Sequence, residues 1–507
     1  MPTRTTCIAI FVFALAARQL SAASCEDLEK LALPNTAITL AQPIAAGAFP
    51  SDGARRGNPF ANLPAFCRVA ATLKPSSDSD IKIEVWLPAQ GWNGKLQANG
   101  NGGWTGSIAT PTLAAGMERG YASAMTDTGH QGGSASFALG HPEKLIDFGY
   151  RSTHEMTIAA KAIIRAYYGQ SPKLSYFTGC SAGGRQGLME AQRFPDDYDG
   201  VVAGSPGSNW SGRAMLAVWV AQAVHRDEAA YIPPAKYPLI HSAALSACDE
   251  QDGVKDGVIE NPMRCKFDPK VLECKGADGS AADCLTAPQV EAVRKIYSPV
   301  LNRRSGAAIV PGFSPGSELG WSTMAGPQPL GLGIDLFRFV VFQDPNWDFR
   351  KFDFDEDVTR TVNASSMLNA LDPDLRKFSA RGGKLIQYHG WSDPQIAPES
   401  SVAYYKTVLD KLATTKMTAS DVAGFYRLFM VPGMAHCGGG DGASTFDMLT
   451  ALEQWVEQKN APEHILASRV RDGKLDRTRP LCPFPQIAKY KGSGSTDEAA
   501  NFTCQAQ

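Results

Sequence analysis

The sequence has no long run or stripe of Lys and Arg, and its 49 basic residues nearly cancel its 51 acidic residues, for a net charge of -2. Nucleic acids and anionic membranes are therefore not expected as partners, because binding to either needs a concentrated positive surface. The sequence also has no CxxC pair and no cluster of His, which argues against a zinc site. Beyond the N-terminus no stretch is apolar enough to span a bilayer, and there is no internal repeat.

What the sequence does have is the composition of an ordinary globular protein, with 44% hydrophobic and 20% charged residues. A chain of 507 residues is longer than one small core supports. We therefore expect either a large domain that carries an insertion or two domains.

The N-terminus has the pattern of a secretory signal peptide. A short apolar run, residues 7–17, follows one Arg and precedes small residues that suit cleavage. A membrane anchor needs about twenty apolar residues, and Arg18 interrupts the run before that length is reached. A lipoprotein signal ending at Cys25 is the weaker alternative, because Ala22 stands where such signals usually have Leu. We expect residues 1–23 to be removed and the mature protein to be secreted or periplasmic.

If the protein is exported, its cysteines are expected to form disulfides. Removing Cys7 from the total of 11 leaves an even number, which in an oxidising compartment indicates a disulfide framework. A set of buried free thiols is the alternative. The ten cysteines of the mature chain are Cys25, Cys67, Cys180, Cys248, Cys265, Cys274, Cys284, Cys437, Cys482 and Cys504.

Several runs of apolar, β-branched or aromatic residues end in glycine-rich turns, and helical spacing appears between them. Alternating strands and helices predict a mostly parallel sheet with helices on both faces. The predicted strands are residues 81–87, 95–99, 121–125, 174–178, 200–203, 384–388 and 425–431, and the clearest helices are residues 154–168 and 182–193.

Residues 208–381 do not show this alternation of strands and helices. They hold four cysteines, many Pro and Gly, and scattered aromatic residues, and their number is that of a domain. They begin just after one predicted core strand and end just before another, where lid domains are inserted. We predict a lid at 208–381, between a first core part at 24–207 and a second at 382–507.

Residues 179–183 match the pattern G-x-S-x-G between a predicted strand and a predicted helix. That context is the one a nucleophile elbow requires, a tight turn that lifts the serine above the sheet at a helix N-terminus. Small residues at Gly179 and Gly183 let the turn fold without a clash. The pattern alone is common by chance, but its context makes Ser181 the predicted nucleophile of an α/β-hydrolase fold.

A serine nucleophile needs a base, and the base needs an orienting carboxylate. In an α/β hydrolase these follow the serine in the order Asp or Glu, then His, each on a loop after a strand. Asp393 follows the strand at 384–388, and His436 follows the strand at 425–431. We therefore predict the triad Ser181, Asp393 and His436. Of the other histidines, His389 closely precedes Asp393 and is expected in the core or in support of the site. His130 could line the site, although a structural role is preferred, and His464 is expected at the surface.

The oxyanion of a tetrahedral intermediate needs two aimed backbone N–H donors. We expect one from Ala182, the residue after the nucleophile. The other is expected from the glycine-rich turn at 99–104, at Gly102 or Gly103, although this turn could also be a simple loop.

Two further features go beyond a generic hydrolase. Cys180 directly precedes Ser181 and Cys437 directly follows His436, so a disulfide between them would tie the nucleophile loop to the base loop. Residues 249–258 combine closely spaced acidic residues, glycines and free carbonyls, which is what a hard cation such as Ca²⁺ needs. The spacing is not that of an EF-hand, and a solvated acidic loop is the alternative.

These residues together resemble the tannase and feruloyl esterase family, which includes the mono(2-hydroxyethyl) terephthalate hydrolases. The resemblance lies in 179–187, in Ser392-Asp393 and in 432–437, and it extends over nearly the whole mature chain. It implies a structural Ca²⁺ in the lid, bound by side chains of Asp249, Asp252 and Asp256 and by carbonyls of Val254 and Val258. It also implies the disulfides Cys25–Cys67, Cys180–Cys437, Cys248–Cys265, Cys274–Cys284 and Cys482–Cys504.

The function implied is a serine carboxylic ester hydrolase that cleaves esters of aromatic acids without an organic cofactor. Feruloyl esters, free or attached to plant polysaccharide, are the first expectation, and galloyl esters or terephthalate monoesters are alternatives. Two alternative functions are a peptidase with the same triad and a binding module of the same fold that has lost catalysis. A flat acyl group binds more tightly when it stacks on an aromatic ring of the protein. The lid residues considered as walls of the acyl pocket are Trp210, Trp321, Phe337, Phe339, Phe342 and Trp347. The alternative, preferred for any single one of them, is a place in the core of the lid.

Overall fold

The computed structural model of the protein describes residues 22–50, 58–275, 283–302 and 304–506. Its strands are, in chain order, β1 (Thr36–Ile44), β2 (Phe66–Leu73), β3 (Ile81–Pro88), β4 (Lys95–Asn99), β5 (Ala122–Thr126), β6 (Leu174–Cys180), β7 (Gly200–Gly204), β8 (Val300–Leu301), β9 (Ala308–Val310), β10 (Lys384–Gly390), β11 (Tyr426–Val431), β12 (Ile465–Arg471), β13 (Lys474–Leu481), β14 (Gln486–Tyr490) and β15 (Phe502–Ala506).

The α-helices of the same residues are, in chain order, α1 (Thr110–Glu118), α2 (Pro142–Ile146), α3 (Ser152–Tyr168), α4 (Ala182–Arg193), α5 (Trp210–His225), α6 (Tyr237–Cys248), α7 (Ala287–Tyr297), α8 (Ser322–Ala325), α9 (Gly331–Asp335), α10 (Asp357–Ser365), α11 (Arg376–Ala380), α12 (Glu399–Ala413), α13 (Ala419–Ala423) and α14 (Met448–Gln458). All seven predicted strands and both predicted helices are present, with ends that differ by no more than two residues from the prediction.

One nine-stranded sheet organises the core, in the order β1-β2-β3-β5-β4-β6-β7-β10-β11. The strands from β5 to β11 in this order run parallel, whereas β1, β2 and β3 add an antiparallel edge. Every residue of β5 and β7 is buried, as expected for central strands covered on both faces. The predicted α/β-hydrolase architecture, a mostly parallel sheet with helices on both faces, is confirmed.

Alternate residues of the strands face two separate hydrophobic layers. On one face, helices α3, α4 and α12 pack against Val85, Phe177 and Leu385. On the other face, α14 packs against Tyr176 and Phe429, and α1 packs at the antiparallel end. Because parallel strands end at the same edge, this arrangement brings the loops after β4, β6, β10 and β11 together.

The interval between β7 and β10 holds α5 to α11, a β8–β9 hairpin and most of a third hydrophobic cluster. This interval corresponds to the predicted lid at 208–381, whose boundaries remain a prediction. The last part of this interval packs against the sheet and not within the third cluster, because Ala370, Leu375 and Phe378 belong to the hydrophobic layer that α3, α4 and α12 form on the sheet. The lid is therefore joined to the core through packing as well as through its two connections.

Five disulfides join the ten cysteines of the described chain, with Cα–Cα distances of 5.0 to 6.0 Å. Their pairing is the one that the family resemblance implies. Among them, Cys180–Cys437 links residues 257 apart in the sequence.

The predicted signal peptide at 1–23 lies almost entirely outside the described residues and stays a prediction. Within the described ranges, no helix has the length and apolar character needed to cross a membrane.

Candidate active site

Ser181 occupies a sharp turn between the end of β6 and the start of α4. Its φ of 64° and ψ of -121° are unusual for a residue with a side chain, and such strain is typical of functional turns. The Ser181 N–H donates to Gly204 O at 2.9 Å, which holds the turn against β7. A Cβ on Gly179 would lie 2.5 Å from the carbonyl carbon of Gly183, so this turn needs glycine there.

Asp393 and His436 form a hydrogen-bonded pair on the loops after β10 and β11. The His436 Nδ1–H donates to Asp393 Oδ2 at 2.7 Å, which leaves His436 Nε2 as an acceptor. The other carboxylate oxygen, Asp393 Oδ1, accepts the N–H groups of Gln395 at 2.8 Å and Ile396 at 3.0 Å. These contacts fix the orientation of a fully buried carboxylate.

The charge of Asp393 is preserved despite its burial. Burial alone would raise the pKa of the Asp393 carboxyl, but the charge of His436 and hydrogen bonds from His389 and His436 lower it below its ordinary value. Asp393 is therefore ionised at neutral pH and can stabilise a protonated imidazole.

His389 is a second histidine on Asp393. Its Nε2 lies 3.1 Å from Asp393 Oδ2 and 3.2 Å from Ile396 O, and a carbonyl only accepts, so Nε2 carries the proton. Its Nδ1 then accepts from the Ser401 hydroxyl at 2.7 Å. The sequence predicts His389 as a core neighbour of Asp393, but its direct hydrogen bond could not be inferred, because it depends on how the loop after β10 folds back.

Ser181 and His436 line one cavity of about 710 Å³. The disulfide Cys180–Cys437 joins the residues next to them, with a Cα–Cα distance of 6.0 Å. Among the hydrogen bonds of the described residues, none joins the Ser181 hydroxyl to the His436 ring. Catalytic hydrogen bonds often form fully only with substrate in place.

The glycine-rich turn after β4 lies against the start of α4. A Cβ on Gly100 would lie 2.4 Å from the Gly183 Cα, and the Asn101 N–H donates to Gln186 Oε1 at 2.9 Å. Within the described chain, no hydrogen bond uses the N–H of Gly102 or Gly103, and both residues line the cavity. The three predicted oxyanion donors, Ala182, Gly102 and Gly103, are thus near the nucleophile turn.

The expected aromatic walls of the cavity are largely absent from it. Of the six lid residues considered, Trp210 lines the cavity. The other five belong to or pack against the lid cluster, as the lid-core alternative expects, and they do not line this cavity. These five are Trp321, Phe337, Phe339, Phe342 and Trp347.

Two other histidines, His130 and His464, lie where the sequence predicts. His130 is buried, stacks on Phe137 with a centroid distance of 3.8 Å, and lies 2.7 Å from Trp104 O through Nε2. Burial lowers the pKa of His130, so it is neutral in this structural position. His464 is exposed in the loop before β12.

The acidic loop at 249–258 folds around its own aspartates. The two oxygens of Asp249 accept the N–H groups of Asp256 at 3.2 Å and Gly257 at 2.9 Å. Burial raises the pKa of Asp252 to about 6, and the negative charges of Asp256 and Asp249 add to this. Crowded, partly buried carboxylates of this kind fit a hard cation.

Two observations set limits on that site. Asp256 is paired with Arg479 and with Arg477, the latter at 3.2 Å, so binding a cation would compete with these ion pairs. Among described residues, the one group of three His, Cys, Asp or Glu side chains with ligand atoms within 4.8 Å of one another is His154, Glu190 and Asp197, outside this loop. The loop carboxylates would have to move inwards to surround an ion.

The acidic loop is distant from the triad in sequence but close to it in space. A Cβ on Gly433 would lie 3.1 Å from Val258 Cγ1. The end of the loop therefore packs against the turn that precedes His436, and the loop is itself closed by the disulfide Cys248–Cys265.

Comparison with known proteins agrees with this geometry. A sequence profile described as "Tannase and feruloyl esterase" matches residues 67–505. The chain belongs to the tannase and feruloyl esterase family. It is thus a carboxylic ester hydrolase that acts on a small-molecule ester.

Individual members of the family are similar over almost their whole length. An uncharacterized esterase of Xanthomonas campestris pv. campestris is 39% identical, with 96% of this chain and 91% of that protein covered. A probable feruloyl esterase B of Aspergillus clavatus is 32% identical, with 98% of each covered. The crystal structure of feruloyl esterase B from Aspergillus oryzae superposes with a TM-score of 0.88 at 31% identity, covering 95% of this chain and 99% of that one.

The second histidine on Asp393 leads to a prediction. Replacing His389 with Phe removes a hydrogen bond to a buried charge, a contact that contributes about 1.5–3 kcal/mol. If this hydrogen bond orients Asp393, kcat should fall about 10- to 100-fold while KM changes less than about threefold. Steady-state kinetics and a melting curve measure both effects.

His154→Phe is the matched control, since it also removes a histidine that is hydrogen-bonded to an aspartate, with His154 Nδ1 2.6 Å from Asp197 Oδ2, and neither residue lines the cavity. An unchanged kcat in His389→Phe, or an equal fall in kcat in both variants, would show that His389 does not position the triad.

Proposed function

We propose that this protein hydrolyses esters of aromatic acids, feruloyl esters first, through a triad of Ser181, His436 and Asp393. The observation that carries the proposal is the pairing of His436 with a fully buried, ionised Asp393 beside a cavity that also contains the strained Ser181. This combination supplies a base, its orienting carboxylate and an exposed hydroxyl.

In the first step, Ser181 Oγ attacks the ester carbonyl while His436 Nε2 accepts its proton. Asp393 accepts the hydrogen bond from His436 Nδ1 and stabilises the imidazolium that forms. The tetrahedral oxyanion is bound by the N–H of Ala182, which begins α4, and by that of Gly102 or Gly103. His436 then gives the proton to the leaving alcohol, and an acyl-enzyme remains.

In the second step, water enters the cavity and His436 accepts one of its protons. The hydroxide adds to the acyl carbon, and the collapse of the second tetrahedral intermediate releases the acid and returns the proton to Ser181. No step needs an organic cofactor, because each proton transfer is made by His436.

The acyl group is proposed from the relatives. Two of the proteins to which this chain is similar are named feruloyl esterase B, which favours hydroxycinnamoyl esters, free or attached to plant polysaccharide. Galloyl esters remain a second candidate because the family profile includes tannases. Terephthalate monoesters are a third, since a cavity of about 710 Å³ holds any of these single-ring acids.

Export remains part of the proposal. Five disulfides support a protein that folds in an oxidising compartment, and the predicted signal peptide at 1–23 supports the same conclusion. We propose a secreted or periplasmic enzyme.

The test of the reaction is a parallel assay of wild type and Ser181→Ala on methyl ferulate, methyl gallate and monomethyl terephthalate. We expect wild type to hydrolyse at least one ester and Ser181→Ala to lose at least about 10³-fold in kcat, because the nucleophile is gone. Ser205→Ala is the matched control, since Ser205 is a buried serine near the same sheet edge that does not line the cavity.

Two results would contradict the reaction. If folded wild type hydrolysed none of the three esters, the proposed substrate class would be wrong and a binding module would be favoured. If Ser181→Ala kept its activity, the nucleophile would lie elsewhere.

We further propose that the acidic loop binds Ca²⁺ in a structural role, through side chains of Asp249, Asp252 and Asp256 and carbonyls of Val254 and Val258. The crowding of the three carboxylates supports this, because a cation would offset their mutual repulsion. The contact of Val258 with the turn before His436 gives the ion a way to stabilise the base loop.

Removal of the ion tests this proposal. We expect EGTA to lower the melting temperature relative to excess Ca²⁺, since a ligand at 100 times its Kd stabilises the folded state by about 2.7 kcal/mol. Asp252→Asn should lose most of this response, whereas Asp344→Asn, at an exposed aspartate of the lid, should keep it. Equal melting temperatures of wild type in EGTA and Ca²⁺ would contradict the site.

A further inference from the structure

Arg213 is a charged side chain in the wall of the active-site cavity. It lies in the first turn of α5, where the chain enters the lid, and 7% of its surface is exposed. Of the described residues that line the cavity, Arg213 is the one with a permanent charge. A substrate beside Ser181 and His436 would therefore meet one fixed positive charge and no fixed negative charge.

The guanidinium of Arg213 has no hydrogen bond or ion pair with any described residue. It lies over the Trp210 ring, whose centroid is 5.9 Å from the guanidinium carbon. Asp393 is close enough for its charge to favour the protonated Arg213. However, both oxygens of Asp393 are already occupied by two histidines and two backbone N–H groups.

Arg185 shows how this protein treats a buried arginine with a structural role. The Arg185 guanidinium is fully buried, and it donates to the carbonyls of Gly149 at 2.7 Å, Phe148 at 3.1 Å and Leu368 at 3.4 Å. These bonds tie α4 to the segment before α3 and, through Leu368, to the predicted lid. Arg213 has no such acceptors, so the fold does not use its donors.

A buried charge without a partner destabilises the folded state. A ligand that carries the opposite charge would offset this cost. Burial lowers the pKa of Arg213 to about 10, so the side chain remains protonated at neutral pH. The planar guanidinium presents paired N–H donors that match the two oxygens of a carboxylate. A phenolic hydroxyl is neutral at this pH and would pair with it more weakly.

We propose that Arg213 binds a carboxylate group carried by the ester substrate, so that the site favours esters with a free acid group over neutral esters of the same shape. The inference rests on the proposed ester hydrolysis at Ser181. The carboxylate could belong to the aromatic acid or to the alcohol, and the two sources can be separated by experiment.

The test uses two pairs of esters that differ by one charge. Monomethyl terephthalate and methyl 4-carbamoylbenzoate place the acid or its neutral amide on the acyl side, and carboxymethyl benzoate and carbamoylmethyl benzoate place it on the alcohol side. We expect wild type to show a kcat/KM about 10- to 100-fold higher for the acid in one pair, as for a hydrogen bond to a charged group. The pair that shows this preference identifies the side on which the carboxylate lies.

Arg213→Gln should lose most of that preference, with kcat/KM falling at least tenfold more for the acid than for its amide. Arg213→Lys keeps the charge without the planar fork and should retain part of the preference. Melting curves confirm that each variant is folded. If Arg213→Gln does not fold, the wild-type preference and Arg213→Lys still decide the question.

Three results would overturn the inference. Wild type that hydrolyses acids and amides equally well would leave the ester hydrolase intact but remove the carboxylate role. An equal loss on both members of a pair in Arg213→Gln would show that Arg213 acts on the triad and not on the substrate. Hydrolysis of none of the four esters by a wild type that does hydrolyse methyl ferulate or methyl gallate would overturn this inference and leave the proposed function intact. Failure on methyl ferulate and methyl gallate as well would overturn both.

Discussion

The disulfide between Cys180 and Cys437 is the constraint on which the site depends. It joins the residue before the nucleophile to the residue after the base, across 257 residues that include the whole lid and Asp393. In the chain-entropy description, closing a loop of this length stabilises the folded state by on the order of 5 kcal/mol. The sheet brings the loops after β6 and β11 to one edge, and the disulfide then fixes their separation.

Two buried charges near this disulfide, those of Asp393 and Arg213, differ in how the protein pairs them. Asp393 is surrounded by donors, because one carboxylate oxygen accepts from His436 and His389 and the other accepts from two backbone N–H groups. Both oxygens are therefore hydrogen-bonded to the protein itself. Arg213 lines the same cavity with no acceptor among the described residues. The negative charge of Asp393 therefore stabilises the His436 imidazole, whereas the positive charge of Arg213 faces the space where a substrate would bind.

Much of this arrangement could be predicted from the sequence, because strand ends and the order of Ser181, Asp393 and His436 follow rules of the fold. The hydrogen bond of His389 and the contact of Val258 with Gly433 could not, since both depend on irregular loops that meet in space. The lid was the least predictable part. A buried aromatic residue and a cavity-lining one leave the same sequence signal, so the sequence could not decide which of the candidate rings lie beside the substrate. In the structure Trp210 lines the cavity, whereas Trp321, Phe337 and Trp347 lie in the lid cluster.

The claim that Ser181 is a nucleophile activated by His436 can be tested most directly by covalent labelling with a fluorophosphonate, followed by peptide mapping. We expect one label per chain, on Ser181, and labelling at least about 100-fold slower in folded His436→Ala, because the serine then lacks its base. A label on another residue, no label on folded wild type, or equally fast labelling of His436→Ala would contradict it.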